Sequence, residues 1–539
     1  MIAGLSFFAF TATVALIAWW VTRNDRMDTA EAYFLAGRSL TAWVIAGSLM
    51  LTNLSTEHLI GLNGDAFNHT IAVMAWETTA ALAMVLAAFY FVPKYLKIGL
   101  STIPDFLATR FDSRTRVVAT LLFLFSYSIA ILPVVLLFGA AGLESLFDVS
   151  TVLGISESKA NWLMVLGIGV LGSLYAIVGG LKAVAVSDTI NGVGFLIASL
   201  LIPVLALSVV GDGNVMAGLS TVYTEERPKF DITGDEPGSF LPFGVLFTGM
   251  IINQVFFWCT NQSIIQRALG AKNLKEAQKG ILIAAVFKLI APLAIVLPGV
   301  IAFHMFKDTL GPDQYLQAYP TLVKTVLPAP LTGFFAAVMV GAVLSTFNSV
   351  LNSAATLFNQ GVFKPLFRPD ADDRQQVRAG RLCSTVLAVA AVLIAPAIDT
   401  SGSLYIYLQQ INATFFGPML AVILAGLLTR SATAKAALTG LVAGPIIFYF
   451  INFVFNAEVQ ALASNVFGTE GDVHFLHFLA LVFVLTSALI AVVSKIWPAP
   501  YQVTQLAAAP VDLTPWRYAP AMAAIIVVST LTVYIFLAQ

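Results

Sequence analysis

The chain contains fourteen apolar runs of roughly 17 to 25 residues, the first at 2–21 and the last at 518–537, and nothing else in it restricts the fold so tightly. A run of that length crosses the hydrocarbon core of a bilayer, about 30 Å thick, as an α-helix. Lipid offers no hydrogen bonds, so each segment must satisfy its own backbone, and for runs this apolar the helix does so. Composition agrees, with 58% hydrophobic and 11% charged residues and a mean hydropathy of +0.87. Soluble domains carry about 25% charged residues, so this chain has too few to cover a water-facing surface.

Fourteen spans put both termini on one side, and the basic residues test that count. Loops assigned to the cytoplasm hold 22 of the 28 Lys and Arg residues, while the opposite loops hold five and Lys288 lies inside a span. Basic residues concentrate on the cytoplasmic side of membrane proteins. A miscounted helix would scramble the alternation beyond the error, and it persists to the end. The expectation is a multi-pass protein of a plasma membrane, of the bacterial inner type, with both termini extracytoplasmic. The first run has no basic segment before it and no small-residue cleavage site after it, so it reads as a retained helix. Cys259 and Cys383 lie in apolar stretches and read as free thiols. The acidic loop at about 211–240 reads as solvated, and the proline-rich stretch 498–520 as a linker to a peripheral last helix.

Polar residues inside spans carry the functional signal. The second span holds Thr52-Asn53-Leu54-Ser55-Thr56-Glu57-His58, residue types that compete with helical backbone bonds. Such a cluster predicts an unwound segment whose freed carbonyls line a cavity or coordinate a cation. The seventh span has a comparable feature in Asn253-Gln254 and Trp258-Cys259-Thr260-Asn261-Gln262. Two interrupted helices five spans apart imply a five-helix unit repeated upside down, the logic of secondary transporters. Glu77 in the third span and Lys288 in the eighth cost about 2.5–3.5 kcal/mol each at a helix centre. They read as the lining of a hydrated solute site or as a buried pair. Asp188, at the start of the sixth span, reads as a helix cap or as part of a second sodium site. In the ninth span Ala342, Ser345 and Thr346 share one helix face, which Ser349, Asn352 and Ser353 extend. Hydroxyls and carbonyls without a full carboxylate suit a hard monovalent cation.

These residues resemble the sodium/solute symporter family, and within it the sodium-glucose cotransporter type, over essentially the whole chain. The matching blocks are Leu51–Glu57, Ile103–Leu107, Tyr175–Leu181 leading to Asp188, and Trp258–Gln262 leading to Gln266-Arg267. Lys288–Ile290, Ser345-Thr346 with Asn352-Ser353, and Tyr407–Gln409 complete them. The resemblance implies an all-α polytopic protein with a LeuT-type core of two inverted five-helix repeats. That core would occupy 41–429, with repeats at about 41–210 and 241–429. A peripheral helix would precede it at 1–22, and three would follow within 434–539. It further implies sodium as the co-transported ion, held by carbonyls of Leu51, Leu54 and Ala342 and hydroxyls of Ser345 and Thr346. The sugar would contact Asn53, Glu77, Gln254, Asn261, Lys288 and Gln409, with His58 in place of a Gln ligand. Phe257 would be the inner aromatic gate, and Leu62, Trp76 and Tyr405 the outer lid.

Three positions depart from the family's galactose transporters: Phe257 replaces Tyr, Ala80 replaces Ser, and His58 replaces Gln. Each lost polar partner removes a hydrogen bond to a particular hydroxyl, and sites that read hydroxyls discriminate strongly. The expected function is sodium-coupled import of a small polar solute, a monosaccharide above all, by alternating access. An acidic sugar, an organic acid or an amino acid is the alternative cargo. A membrane sensor on a transporter fold is the alternative class. An enzyme is not expected, because the five His form no ligand motif and no nucleophile–base pair is evident. No nucleic acid or obligate protein partner is implied.

Overall fold

The computed structural model describes residues 2–23, 29–233, 239–398, 402–467, 472–500 and 511–537. Side chains at 2–3, 174–179, 329 and 466–467 fall outside that description, which removes Tyr175–Gly179 of the matching blocks and, with residues 234–238, Asp235 and Glu236 of the acidic loop. The described chain is helical almost throughout. Its first half runs through α1 (Ile2–Thr22), α2 (Ala42–Asn53), α3 (Asn63–Asn68), α4 (Ala75–Leu86), α5 (Ser113–Phe147) and α6 (Glu157–Val210). There follow α7 (Gly249–Cys259), α8 (Gln262–Leu269), α9 (Leu274–Ile295), α10 (Ala329–Phe358) and α11 (Asp373–Ile394). The last four are α12 (Leu404–Leu428), α13 (Ala434–Tyr449), α14 (Phe475–Ile496) and α15 (Ala519–Leu537).

Among the described residues, eleven helices are long and apolar enough to cross a membrane, against the fourteen predicted spans. The difference falls on three positions. Two are the predicted interruptions, where α2 and α7 are short apolar helices that stop partway. The third is the first arm of α6, which ends in the residues whose side chains are not described.

Both interruptions lie where the polar clusters place them. α2 ends at Asn53 because Leu54 (φ −75, ψ 85) leaves helical geometry, and the chain resumes as a π-turn over Glu57–Leu62 that runs into α3. α7 ends at Thr260, and Asn261 (ψ 122) restarts the chain as α8 by accepting the Ser263 N–H at 3.1 Å. A third break sits inside α6 at Gly180 (φ 60, ψ −176), a conformation essentially restricted to glycine. A Cβ there would also lie 3.0 Å from the Tyr33 carbonyl oxygen.

α2 packs against α6, α9 and α10, and α7 packs against α4 and α12, so both breaks lie in the middle of the bundle. α1 lies on α10 and α6, α15 on α4 and α9, and α13 and α14 on α12. Only 11% of the apolar window of α1 and 17% of that of α15 are buried, which marks both as peripheral. The acidic loop is more structured than expected. It forms a helix, Val215–Glu225, after which Lys229 donates to the Phe67 and Asn68 carbonyls (2.7 and 3.1 Å) at the end of α3. Glu226 accepts from Lys307 at 2.6 Å. Basic side chains that satisfy orphan carbonyls at a helix end are a common cap, and a count of acidic residues gives no sign of one.

Gly180→Ala should lower stability by about 1–3 kcal/mol through its backbone conformation. Gly167→Ala, in the same helix with nothing within 4 Å of its Cβ position, should be neutral or stabilising. Apparent melting temperatures in detergent check the pair, and equal shifts would show that the Gly180 turn is not a constraint.

Candidate functional site

The break after α2 delivers Asn53, Glu57 and His58 to α4 and α9, which carry Glu77 and Lys288. The Lys288 ammonium donates to Glu77 Oε2 at 2.5 Å and also to Asn53 Oδ1. His58 Nε2 stands 3.3 Å from the other Glu77 oxygen. Glu77 and Lys288 are 1% and 2% exposed, so neither charge has bulk water to solvate it. Desolvating an ion costs several kcal/mol, and only a close partner with further hydrogen bonds offsets it.

This cluster forms part of the wall of a cavity of about 60 Å³. Asn53, His58, Glu77, Gln254 and Gln409 line it, together with the aromatic residues Trp76, Phe257 and Tyr405. A water's share of liquid volume is about 30 Å³, so the space is small beside a larger solute, which enters only when the walls separate. Gln254 is fixed by donating to the Trp76 carbonyl (2.7 Å) and to Thr79 Oγ1 (3.2 Å). Tyr405 packs edge-on against both Trp76 and His58, with centroids 5.8 and 5.6 Å apart, and its hydroxyl accepts from Gln409 Nε2 at 3.4 Å.

Of the residues expected to contact or gate the solute, three do not line this cavity. Lys288 stands behind the wall and reaches it through Glu77 and Asn53. Asn261 is buried with its side-chain oxygen accepting from the Tyr127 hydroxyl (2.8 Å) and from Ser263, because it caps α8. Leu62 is fully buried in the π-turn. Conversely Glu57, Asn253 and Asn412 line the cavity and were not among the expected ligands. Asn412 follows Gln409 by three residues on α12, and that helical spacing was the available signal.

Behind the break, α10 presents its hydroxyls to the carbonyls that α2 frees. Thr346 Oγ1 donates to the Thr52 carbonyl at 2.9 Å, and Thr52 Oγ1 lies 3.0 Å from Ser349 Oγ. Leu51, Leu54 and Ala342 are fully buried beside them, and Ser345 Oγ is buried without a hydrogen-bond partner. An orphaned hydroxyl next to freed carbonyls is a donor set that fits a small hard cation. Asp188 is not a terminal cap. It sits two turns beyond the Gly180 break and accepts from Ser48 Oγ at 2.7 Å. Ser48 also accepts from the fully buried Arg267, whose other donors reach the Ser263 carbonyl and Ser349.

Known proteins are similar to this chain in sequence and in fold. Residues 33–444 match the family described as "Sodium:solute symporter family". The chain belongs to the sodium:solute symporter family. It is 43% identical over 514 residues to the uncharacterized symporter YidK of Escherichia coli (strain K12), across 95% of this chain and 87% of that one. It is 32% identical over 470 residues to a sodium/glucose cotransporter of Vibrio parahaemolyticus (83% and 84% covered). It is 30% identical over 527 residues to sodium/myo-inositol cotransporter 2 of Mus musculus (91% and 75% covered). The solved structure of a Na+-coupled sialic acid symporter in a substrate-bound outward-open state superposes with a TM-score of 0.75 over 94% of this chain and 99% of that one. At 19% identity that likeness shows the fold alone, an all-α LeuT-type architecture. The protein is therefore a multi-pass membrane symporter, not an enzyme, and it co-transports sodium with a small solute.

Removing one partner of a buried ion pair typically costs 3–5 kcal/mol, because the other charge is left uncompensated. Lys288→Met should therefore destabilise the protein by that order, and Lys288→Met with Glu77→Gln should regain most of it. Thermal unfolding of both variants in detergent checks this, and additive losses would contradict the pairing.

Proposed function

We propose that this symporter imports a neutral polyhydroxylated solute, in the first instance a monosaccharide, together with sodium by alternating access. The observation that carries the reading is the state of Lys288. Its ammonium is engaged by Glu77 and Asn53, so this lysine is not free to neutralise a carboxylated cargo. The remaining wall combines amides, a carboxylate and aromatic faces, which suits hydroxyls and a sugar ring. Relatives named for glucose and for myo-inositol support a polyol cargo.

In this reading Asn53, His58, Glu77, Gln254 and Gln409 contact the solute, while Lys288 and Asn261 hold the wall in place. Phe257 gates one side, with Leu62, Trp76 and Tyr405 on the other. Sodium takes the carbonyls of Leu51, Leu54 and Ala342 and the hydroxyls of Ser345 and Thr346. Asp188 is the candidate for a second sodium site. The transport core comprises 41–429 as two inverted repeats, flanked by 1–22 and 434–539, with both termini extracytoplasmic in a bacterial inner membrane.

The driving force is adequate. One charge crossing 100 mV supplies about 2.3 kcal/mol. A tenfold sodium gradient adds about 1.4 kcal/mol, so the total sustains roughly a 500-fold solute gradient per ion.

Counterflow in proteoliposomes with labelled hexoses, uronates and amino acids tests the cargo. Hexose exchange is expected in sodium, and uptake unchanged in choline would reject the coupling. Ser345→Ala should raise the sodium concentration for half-maximal uptake about tenfold while leaving melting unchanged, as loss of one ion ligand predicts. Unaltered sodium activation in that variant would displace the ion site.

A further inference from the structure

Glu57 has no part in the ion pair. It lies directly after the break, is 6% exposed, and lines the same cavity as Glu77. Its Oε2 is buried without a hydrogen-bond partner, and Oε1 stands 3.8 Å from His58 Nδ1. The other buried, unpartnered atoms of cavity-lining side chains are Asn253 Oδ1, Asn412 Oδ1, Trp76 Nε1 and His58 Nδ1. Those side chains come from four separate elements: the break, α7, α12 and α4. The unsatisfied set is thus rich in acceptors and holds a single fixed donor, the Trp76 N–H. Polar groups buried without partners cost about 1–3 kcal/mol each, so a ligand that satisfies them is favoured.

We infer that Glu57, with Asn253 and Asn412 beside it, forms a second solute-binding arc that selects hydroxyl or ammonium donors and rejects carboxylated solutes. The inference rests on the polyol reading above and adds the group that enforces it. Two carboxylates, Glu57 and Glu77, stand against one ammonium in this wall. An incoming carboxylate therefore meets the charge of Glu77 and a set of acceptor atoms that it has no proton to satisfy. A hydroxyl donates to Glu57 Oε2, and an amino sugar places its ammonium there. Specificity then arises as much from the penalty on the wrong solute as from contacts to the right one.

The test is sodium-driven uptake by the full chain in proteoliposomes, with competition by a neutral hexose, the matching uronate and the matching amino sugar. In the unaltered protein the neutral and amino sugars should compete and the uronate should not. Glu57→Gln replaces one acceptor oxygen by a donor without changing shape. It should raise the KM for the neutral hexose at least about tenfold and bring uronate inhibition up by a similar factor, while melting stays unchanged. Asn253→Leu and Asn412→Leu should each raise the hexose KM without admitting the uronate, because they remove hydrogen bonds and no charge. Uronate and hexose handled equally by the unaltered protein would overturn the arc and leave sugar symport standing. A Glu57→Gln variant that keeps the unaltered discrimination while folded would also overturn it. Absence of sodium-driven uptake of any neutral sugar by the unaltered protein would overturn both readings.

Discussion

The helix that stops at Asn53 governs the rest of the molecule. A bilayer-spanning helix that unwinds leaves N–H and C=O groups that lipid cannot satisfy, so protein must surround the break. Here α6, α9 and α10 enclose α2, and α10 answers one freed carbonyl directly through the Thr346 hydroxyl. Small polar residues on α10 allow that approach, and the same residues hydrogen-bond across helices. The second break, between α7 and α8, is closed differently. Asn261 caps the new helix start and takes the Tyr127 hydroxyl, so the restart is locked to α5. One break is therefore lined by oxygens facing a neighbour's hydroxyls, and the other is sealed by its own cap.

Charge is managed by the same economy of partners. Lys288, Glu77 and Arg267 are all buried to within about 2% of full burial, and each has at least two polar neighbours from other helices. Such groups are weak evidence for stability, since apolar residues of the same volume would often serve as well. Their retention makes sense where a solute and an ion must be admitted and released. A wall that binds a polar solute needs polar atoms held at fixed positions, and the Lys288–Glu77–His58 contacts hold them across three elements.

Much of this was legible in the sequence, because lipid makes polar residues conspicuous. The breaks at 52–58 and 258–262, the charged pair Glu77 and Lys288, and the hydroxyl stripe of α10 each stood out against an apolar background. What escaped notice depended on direction within a helix or on a neighbour's identity. Asn261 looked like a solute ligand by position, yet its oxygen is consumed by the cap that its own break requires. Glu57 was submerged among six polar residues in seven, and only the cavity, which Ser55 and Thr56 do not line, sets it apart from them. Lys229 sat in a loop whose acidity suggested solvent, and its role depends on where α3 ends.

In the proposed arrangement the solute and ion sites meet on three consecutive residues, and that meeting would be the physical content of coupling. Thr52 gives its carbonyl to Thr346 and its hydroxyl to Ser349, on the ion side. Asn53 gives its side chain to Lys288, on the solute side. Leu54 carries the backbone angle that ends the helix. A cation that draws the carbonyls of this segment toward α10 cannot do so without setting the direction of the Asn53 side chain. A solute that engages the Lys288–Glu77–Asn53 wall likewise holds those carbonyls in place. Each ligand then favours the arrangement the other requires, and linkage makes the gain equal in both directions. In this proposal no long-range pathway is needed, because the residues it assigns to the two ligands lie within one unwound turn.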